Sequence, residues 1–113
     1  MKNQESHLVY KNCLGSISQN DENYAFELSI HDKSVILTPQ QFLRLKNKVK
    51  NFNLENMLLQ NSNPVEILIV PEKDEIFVLT CIEMVQIRDL FDGAMVMLSL
   101  NSILQDALNP ALF

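Results

Sequence analysis

The chain has 113 residues, a formal net charge of −5, and 47% hydrophobic residues. That length fits one domain, and the apolar share is enough for a core, which excludes wholesale disorder. Nine Lys and Arg stand against fourteen Asp and Glu, which argues against a general nucleic-acid binder, because neutralising phosphates takes clustered cations.

The two cysteines, Cys13 and Cys81, are far apart and form no disulfide framework. The start "MKNQESH" has no apolar h-region, so no secretory signal is read there. No apolar run reaches the roughly 18 to 20 residues of a membrane span. The expectation is a cytoplasmic protein with reduced thiols and no membrane contact.

In chain order, residues 1–6 are polar and expected to form a loose arm that also holds His7. "HLVY" at 7–10 fits a short strand, and "GSISQNDEN" at 15–23 reads as turn and loop. "YAFELSI" alternates, with Tyr24, Phe26, Leu28 and Ile30 on one side, as in a strand with one buried face. "HDK" turns, and "SVIL" returns. Thr38 then stands at an N-cap, Pro39 at the first helical position and Gln41 three residues after the Thr, which spells a capping box. Phe42, Leu45 and Val49 form the helix's apolar stripe.

The Asn-rich stretch 51–64 reads as a connection with one helical turn around Leu54 to Leu59. "VEILIV", the turn "PEKD" and "EIFVL" form a second hairpin. Thr80 and Glu83 repeat the capping box, and Met84, Ile87, Leu90 and Phe91 form a second stripe. Beyond Phe91, Met, Leu and Ala favour a helix continuing to about Ala107, with Gly93 tolerated inside it. The alternative is a turn at Asp92-Gly93, a strand "MVMLSL" and a short helix.

Residues 26–49 align with 68–91 without a gap, although only three of the 24 positions are identical. The shared order of turn, strand, cap and stripe makes each half a hairpin feeding a helix. The predicted fold is α+β: a single domain over 1–113 with two ββα units, 24–50 and 65–108, forming an antiparallel sheet packed by helices, and a long C-terminal helix. Val35-Ile36-Leu37, Ile67 to Val70 and Ile76 to Leu79 are apolar at consecutive positions, so these strands are expected to be buried on both faces. The N-terminal arm, the C-terminal helix or a second copy must cover the second face. A homodimer is the first choice, as the commonest closed assembly.

"LSIHDKSVILTPQQF" and "IEMVQIRDLFDGAMVMLSLNSIL" resemble a family of small Bacteroidetes proteins of unassigned function. In that family a short hairpin leads to a Thr-capped helix and a long C-terminal helix follows. The resemblance covers about two thirds of the chain. Members often carry a Cys-x-x-Cys pair near the N-terminus. Here "CLGS" keeps Cys13 and places Ser16 second, and that departure speaks against carrying over a metal or redox role.

Candidate chemistry is sparse. Cys81 falls in the first turn of the second helix, where the dipole and free N–H groups can stabilise a thiolate. No His or basic partner is nearby in sequence, and a buried structural cysteine is the simpler account. His7, Cys13, His31 and Cys81 supply zinc-type atoms at spacings that match no zinc pattern. Asp21, Glu22, Glu72, Asp74 and Glu75 sit in turns and read as solvated. Arg44, Lys46, Lys48 and Lys50 give segment 44–50 a formal charge of +4. They could bind an acidic partner or nucleic acid, or simply complement the helix dipole. The apolar tail "ALF" is expected to dock on the body or a partner subunit. Two glycines leave little material for a phosphate loop, and no hydrolase or metalloprotease motif occurs. No cofactor is indicated. The sequence favours a non-enzymatic, self-associating interaction protein. Its alternatives are a ligand-binding or catalytic dimer cleft using Cys81, and an adaptor using the basic helix end.

Overall fold

Alternating apolar residues in short segments, followed by Thr-led helix starts, fold into strands and helices, of which the described residues give six strands and two long helices. The computed structural model describes residues 6–20, 25–53, 55 and 65–108. Strands β1 (Ser6–Lys11), β2 (Gly15–Asn20), β3 (Ala25–Ile30) and β4 (Lys33–Leu37) precede helix α1 (Pro39–Lys50). Strands β5 (Val65–Val70) and β6 (Glu75–Thr80) precede helix α2 (Cys81–Leu108). The fold is α+β, with both hairpin-to-helix units and the long C-terminal helix in place.

The strands are distributed differently from the expected single sheet. β1 to β4 make an antiparallel four-stranded sheet in sequence order, and β5–β6 form a separate two-stranded sheet. β1–β2 takes the free edge of β3, β4 is the other edge of that sheet, and among the described residues β5 and β6 pair only with each other. This corrects the expectation at residues 15–23: Gly15–Asn20 is an internal strand, paired with β1 on one side and β3 on the other. Polar Ser, Gln and Asn resemble loop chemistry, but neighbours on both sides satisfy this backbone and only Ile17 has to be fully buried. Gly15 is needed where β2 starts, since an added Cβ would lie 2.0 Å from the Ser29 carbonyl oxygen. Ser6 and His7 also belong to β1, not to a loose arm, and His7 pairs with Gln19.

The two hairpins have the same plan with different turns. Leu28 pairs with Val35 in the first, and Leu68 pairs with Phe77 in the second. Phe77 follows Val35 by 42 residues but Leu68 follows Leu28 by 40, so the gapless alignment slips by two in the leading strand. The difference is the loop: His31-Asp32 alone joins β3 to β4, whereas a 3₁₀ turn at Pro71–Lys73 plus Asp74 joins β5 to β6. A slip of two keeps every side chain on its face. His31 and Asp74 take left-handed backbone, with φ of 57° and 55°.

Both capping boxes form. Thr38 Oγ1 accepts from the Gln41 N–H while Gln41 Oε1 accepts from the Thr38 N–H. Thr80 and Glu83 do the same at α2. The predicted stripe Phe42, Leu45 and Val49 is the buried face of α1. Met84, Ile87, Leu90, Phe91 and Ala94 are the buried face of α2, which continues as one helix through Gly93. Phe26, Phe42 and Phe91 tie β3, α1 and α2 together, with ring centroids 4.3 Å and 5.2 Å apart. The expected helical turn near Leu54 to Leu59 lies, apart from Glu55, outside the described residues, as do Asp21 to Tyr24 and the "ALF" tail.

Candidate interaction surface

The two hairpins differ most on the faces they turn away from the helices. In β3–β4 the outward pairs are Glu27 with Ile36 and Ser29 with Ser34. The two serine hydroxyls lie 2.7 Å apart, and Ile36 is the one large apolar group among the four. In β5–β6 the matching pairs are Ile67 with Val78 and Ile69 with Ile76. All four of these side chains are exposed, at 55%, 57%, 45% and 47%. The expectation of burial on both faces is therefore met within one chain only on the inner face, where Leu68, Val70, Phe77 and Leu79 are buried. Clustered exposed apolar residues of this kind mark interaction surfaces.

The edges of this small sheet are guarded. Lys48 Nζ donates to the Ile69 carbonyl at 2.8 Å, and Lys33 Nζ donates to the Ile76 carbonyl at 2.6 Å. Lys33 also lies 3.8 Å from Glu75 and 5.8 Å from the Phe77 ring centroid. Lys48 of α1 and Lys33 of β4 thus each engage a backbone carbonyl of one strand, which discourages addition of a further strand at the edge. The open surface is the face.

Among the described residues, a second exposed apolar surface is the outer half of α2. Ala94 is the last buried residue among those up to 102 whose side chains are described, and Met95 and Leu98 are half-buried. Residues 99–102 point to four sides of the helix at about 100° per residue, and all four are exposed. Val96, Met97 and Leu100 are exposed apolar groups in this part, and residues 93–102 carry no charge. The 28-residue helix is about 42 Å long, and the molecule measures 58 × 32 × 23 Å.

The basic residues do not make one patch. Arg44 and Lys48 lie on one flank of the buried stripe of α1, and Lys46 and Lys50 on the other, as helical spacing requires. Lys48 is engaged with β5, and Arg44 and Lys48 line a groove with Leu45, Ile69 and Pro71. Cys81 is the first residue of α2, half-buried and packed against the core. The four zinc-type residues are spread apart. His7 is on β1, and Cys13 is exposed in the β1–β2 turn, 3.1 Å from Gln86 Nε2. His31 pairs with Glu83 at 3.1 Å. Among the described residues, no group of three or more His, Cys, Asp and Glu is placed to hold a metal ion. Among the same residues, no helix is long and apolar enough to cross a membrane.

Sequence reasoning missed the residues that join the parts. Arg88 on α2 donates from Nε to the Val49 carbonyl and from Nη2 to the carbonyls of Lys50 and Phe52. The Lys50 carbonyl is one that a helix end leaves without an intrahelical partner. The Val49 carbonyl also accepts from the Phe52 N–H, and Phe52 lies just beyond the helix. Asp89 accepts from Asn12 Nδ2 at 2.9 Å and from the Tyr10 hydroxyl at 3.3 Å, holding the β1–β2 hairpin to α2. The Asp89 charge raises the Tyr10 pKa above 10.0, with smaller contributions from lost hydration and the hydrogen bond itself. No local pattern signals contacts between residues so far apart in sequence.

No family model, curated protein or solved structure matches the chain.

Proposed function

We propose that the protein is a non-enzymatic, cytoplasmic interaction protein that works as a homodimer. The observation that carries this is the outer face of β5–β6. The same hairpin is built twice in one chain, once with Glu27, Ser29 and Ser34 facing water and once with Ile67, Ile69, Ile76 and Val78. The first hairpin shows that this unit folds with a mostly polar outer face. The apolar face of the second is then not a requirement of folding and calls for a partner. Free thiols at Cys13 and Cys81 fit a reducing compartment.

A second copy is supported because closed two-fold assemblies are the commonest way to bury a self-presented patch. The chain is acidic overall, and an uncharged face is where two acidic copies can approach without repulsion. Sedimentation velocity over a concentration series tests the proposal. The expected result is a monomer–dimer equilibrium with dimer dominant at micromolar concentration. A single monomeric species throughout contradicts it.

A further inference from the structure

The two capping boxes differ in one group. At α1 the partner of Thr38 is Gln41, and at α2 the partner of Thr80 is Glu83. A neutral amide is therefore enough to close this box. The carboxylate at α2 brings a charge and a second oxygen, and His31 Nε2 lies 3.1 Å from that oxygen. We infer that His31 and Glu83 form a proton-operated clasp, in which an imidazolium in the β3–β4 turn fastens the first hairpin to the start of α2.

The geometry is fixed from both sides. His31-Asp32 alone joins β3 to β4, and His31 takes left-handed backbone with φ of 57°. A two-residue turn of this kind leaves little freedom in where its side chains start. Glu83 Oε1 accepts from the Thr80 N–H, which leaves Oε2 for the imidazole. Lys33, two residues after His31, donates to the Ile76 carbonyl and lies 3.8 Å from Glu75. The first hairpin thus holds the second unit at two points. The lysine keeps its charge across the ordinary pH range, and the histidine does not.

Among the described residues, the titratable groups on the elements that meet here are few. Asp32 and Lys33 share the turn, Glu75 is on β6, Cys81 and Glu83 begin α2, and Cys13 is in the β1–β2 turn. Lys33 is offset by Glu75. Asp32 and Glu83 have the sign that attracts a cation, and free thiols are ordinarily neutral where a histidine changes charge. An ordinary histidine gains its proton near pH 6.5, where a glutamate is already ionised. The attraction is therefore present below that range and fades as pH rises through it. With side chains 53% and 24% exposed, its size is that of a surface ion pair.

Urea unfolding of the full chain tests this, as a double-mutant cycle of Glu83→Gln and His31→Asn at about pH 5.5 and about pH 8. Glu83→Gln keeps the box that Gln41 makes at α1, and Asn accepts left-handed backbone. The cycle also cancels the effect of removing a charge near the helix dipole. The expected result is a coupling of about two- to fivefold in the unfolding equilibrium constant at the lower pH, and almost none at the higher. No coupling at either pH, equal coupling at both, or a larger coupling at the higher pH overturns the clasp. Where His31→Asn does not fold, His31→Gly replaces it, since glycine adopts the same backbone freely.

Discussion

The ring of Tyr10 occupies the space where a side chain at Gly93 would begin. A Cβ added at Gly93 would lie 2.3 Å from Tyr10 Cε2. The glycine that breaks the apolar run of α2 is therefore the socket for the β1–β2 hairpin. Gly93→Ala should gain about 1 kcal/mol of helix propensity and lose more than that by displacing the ring. The expected net effect is a loss of about 1 kcal/mol in urea unfolding. In a Tyr10→Ala background the sign should invert, and Gly93→Ala should stabilise by about 1 kcal/mol.

Arg88 ends α1 from a distance. Its guanidinium meets the carbonyls of Val49, Lys50 and Phe52, a forked geometry that a lysine cannot reproduce. Arg88→Ala should cost about 2 kcal/mol, since charge-assisted hydrogen bonds contribute about 1.5 to 3. Arg88→Lys should recover less than half of that. Amide exchange should speed up most at the C-terminal turn of α1.

Gly15 is a stricter position than Gly93, because its obstacle is backbone. A Cβ there would lie 2.0 Å from the Ser29 carbonyl oxygen, which cannot swing aside as a ring can. Gly15→Ala should cost about 3 kcal/mol or prevent folding of the four-stranded sheet. Thermal unfolding of the two alanine variants side by side checks the order, with Gly15→Ala the more damaging.

Tyr10 should make the fold sensitive to alkali. Its raised pKa means that the folded chain holds the phenolic proton more tightly than the unfolded chain. The associated stabilisation is complete below the unfolded value of 10.0 and is lost as pH rises through the higher folded value. Asp89→Asn removes the largest cause, so Tyr10 should then titrate nearer 10.0. Phenolate absorbance in a Tyr24→Phe background measures this, since Tyr24 is the other tyrosine.

The parts of the fold that rest on near neighbours were legible. Thr38 with Gln41 and Thr80 with Glu83 are three residues apart, and both boxes form. The stripes of α1 and α2 follow helical spacing and are the buried faces. What pairs across long distances was not legible. Nothing in "GSISQN" says that two neighbours will make it a strand, and nothing near Arg88 points to Phe52. The consecutive apolar residues of β5 and β6 were visible, but they do not say whether the outer ones are covered by the same chain. The folded chain leaves Ile67, Ile69, Ile76 and Val78 open, and that turns a sequence pattern into a candidate interface.

Static light scattering of the wild-type chain at micromolar concentration measures self-association directly. The expected molar mass is twice that of one chain, falling towards that of a single chain when Val78 is changed to Lys. A wild-type mass equal to one chain would rule out the homodimer.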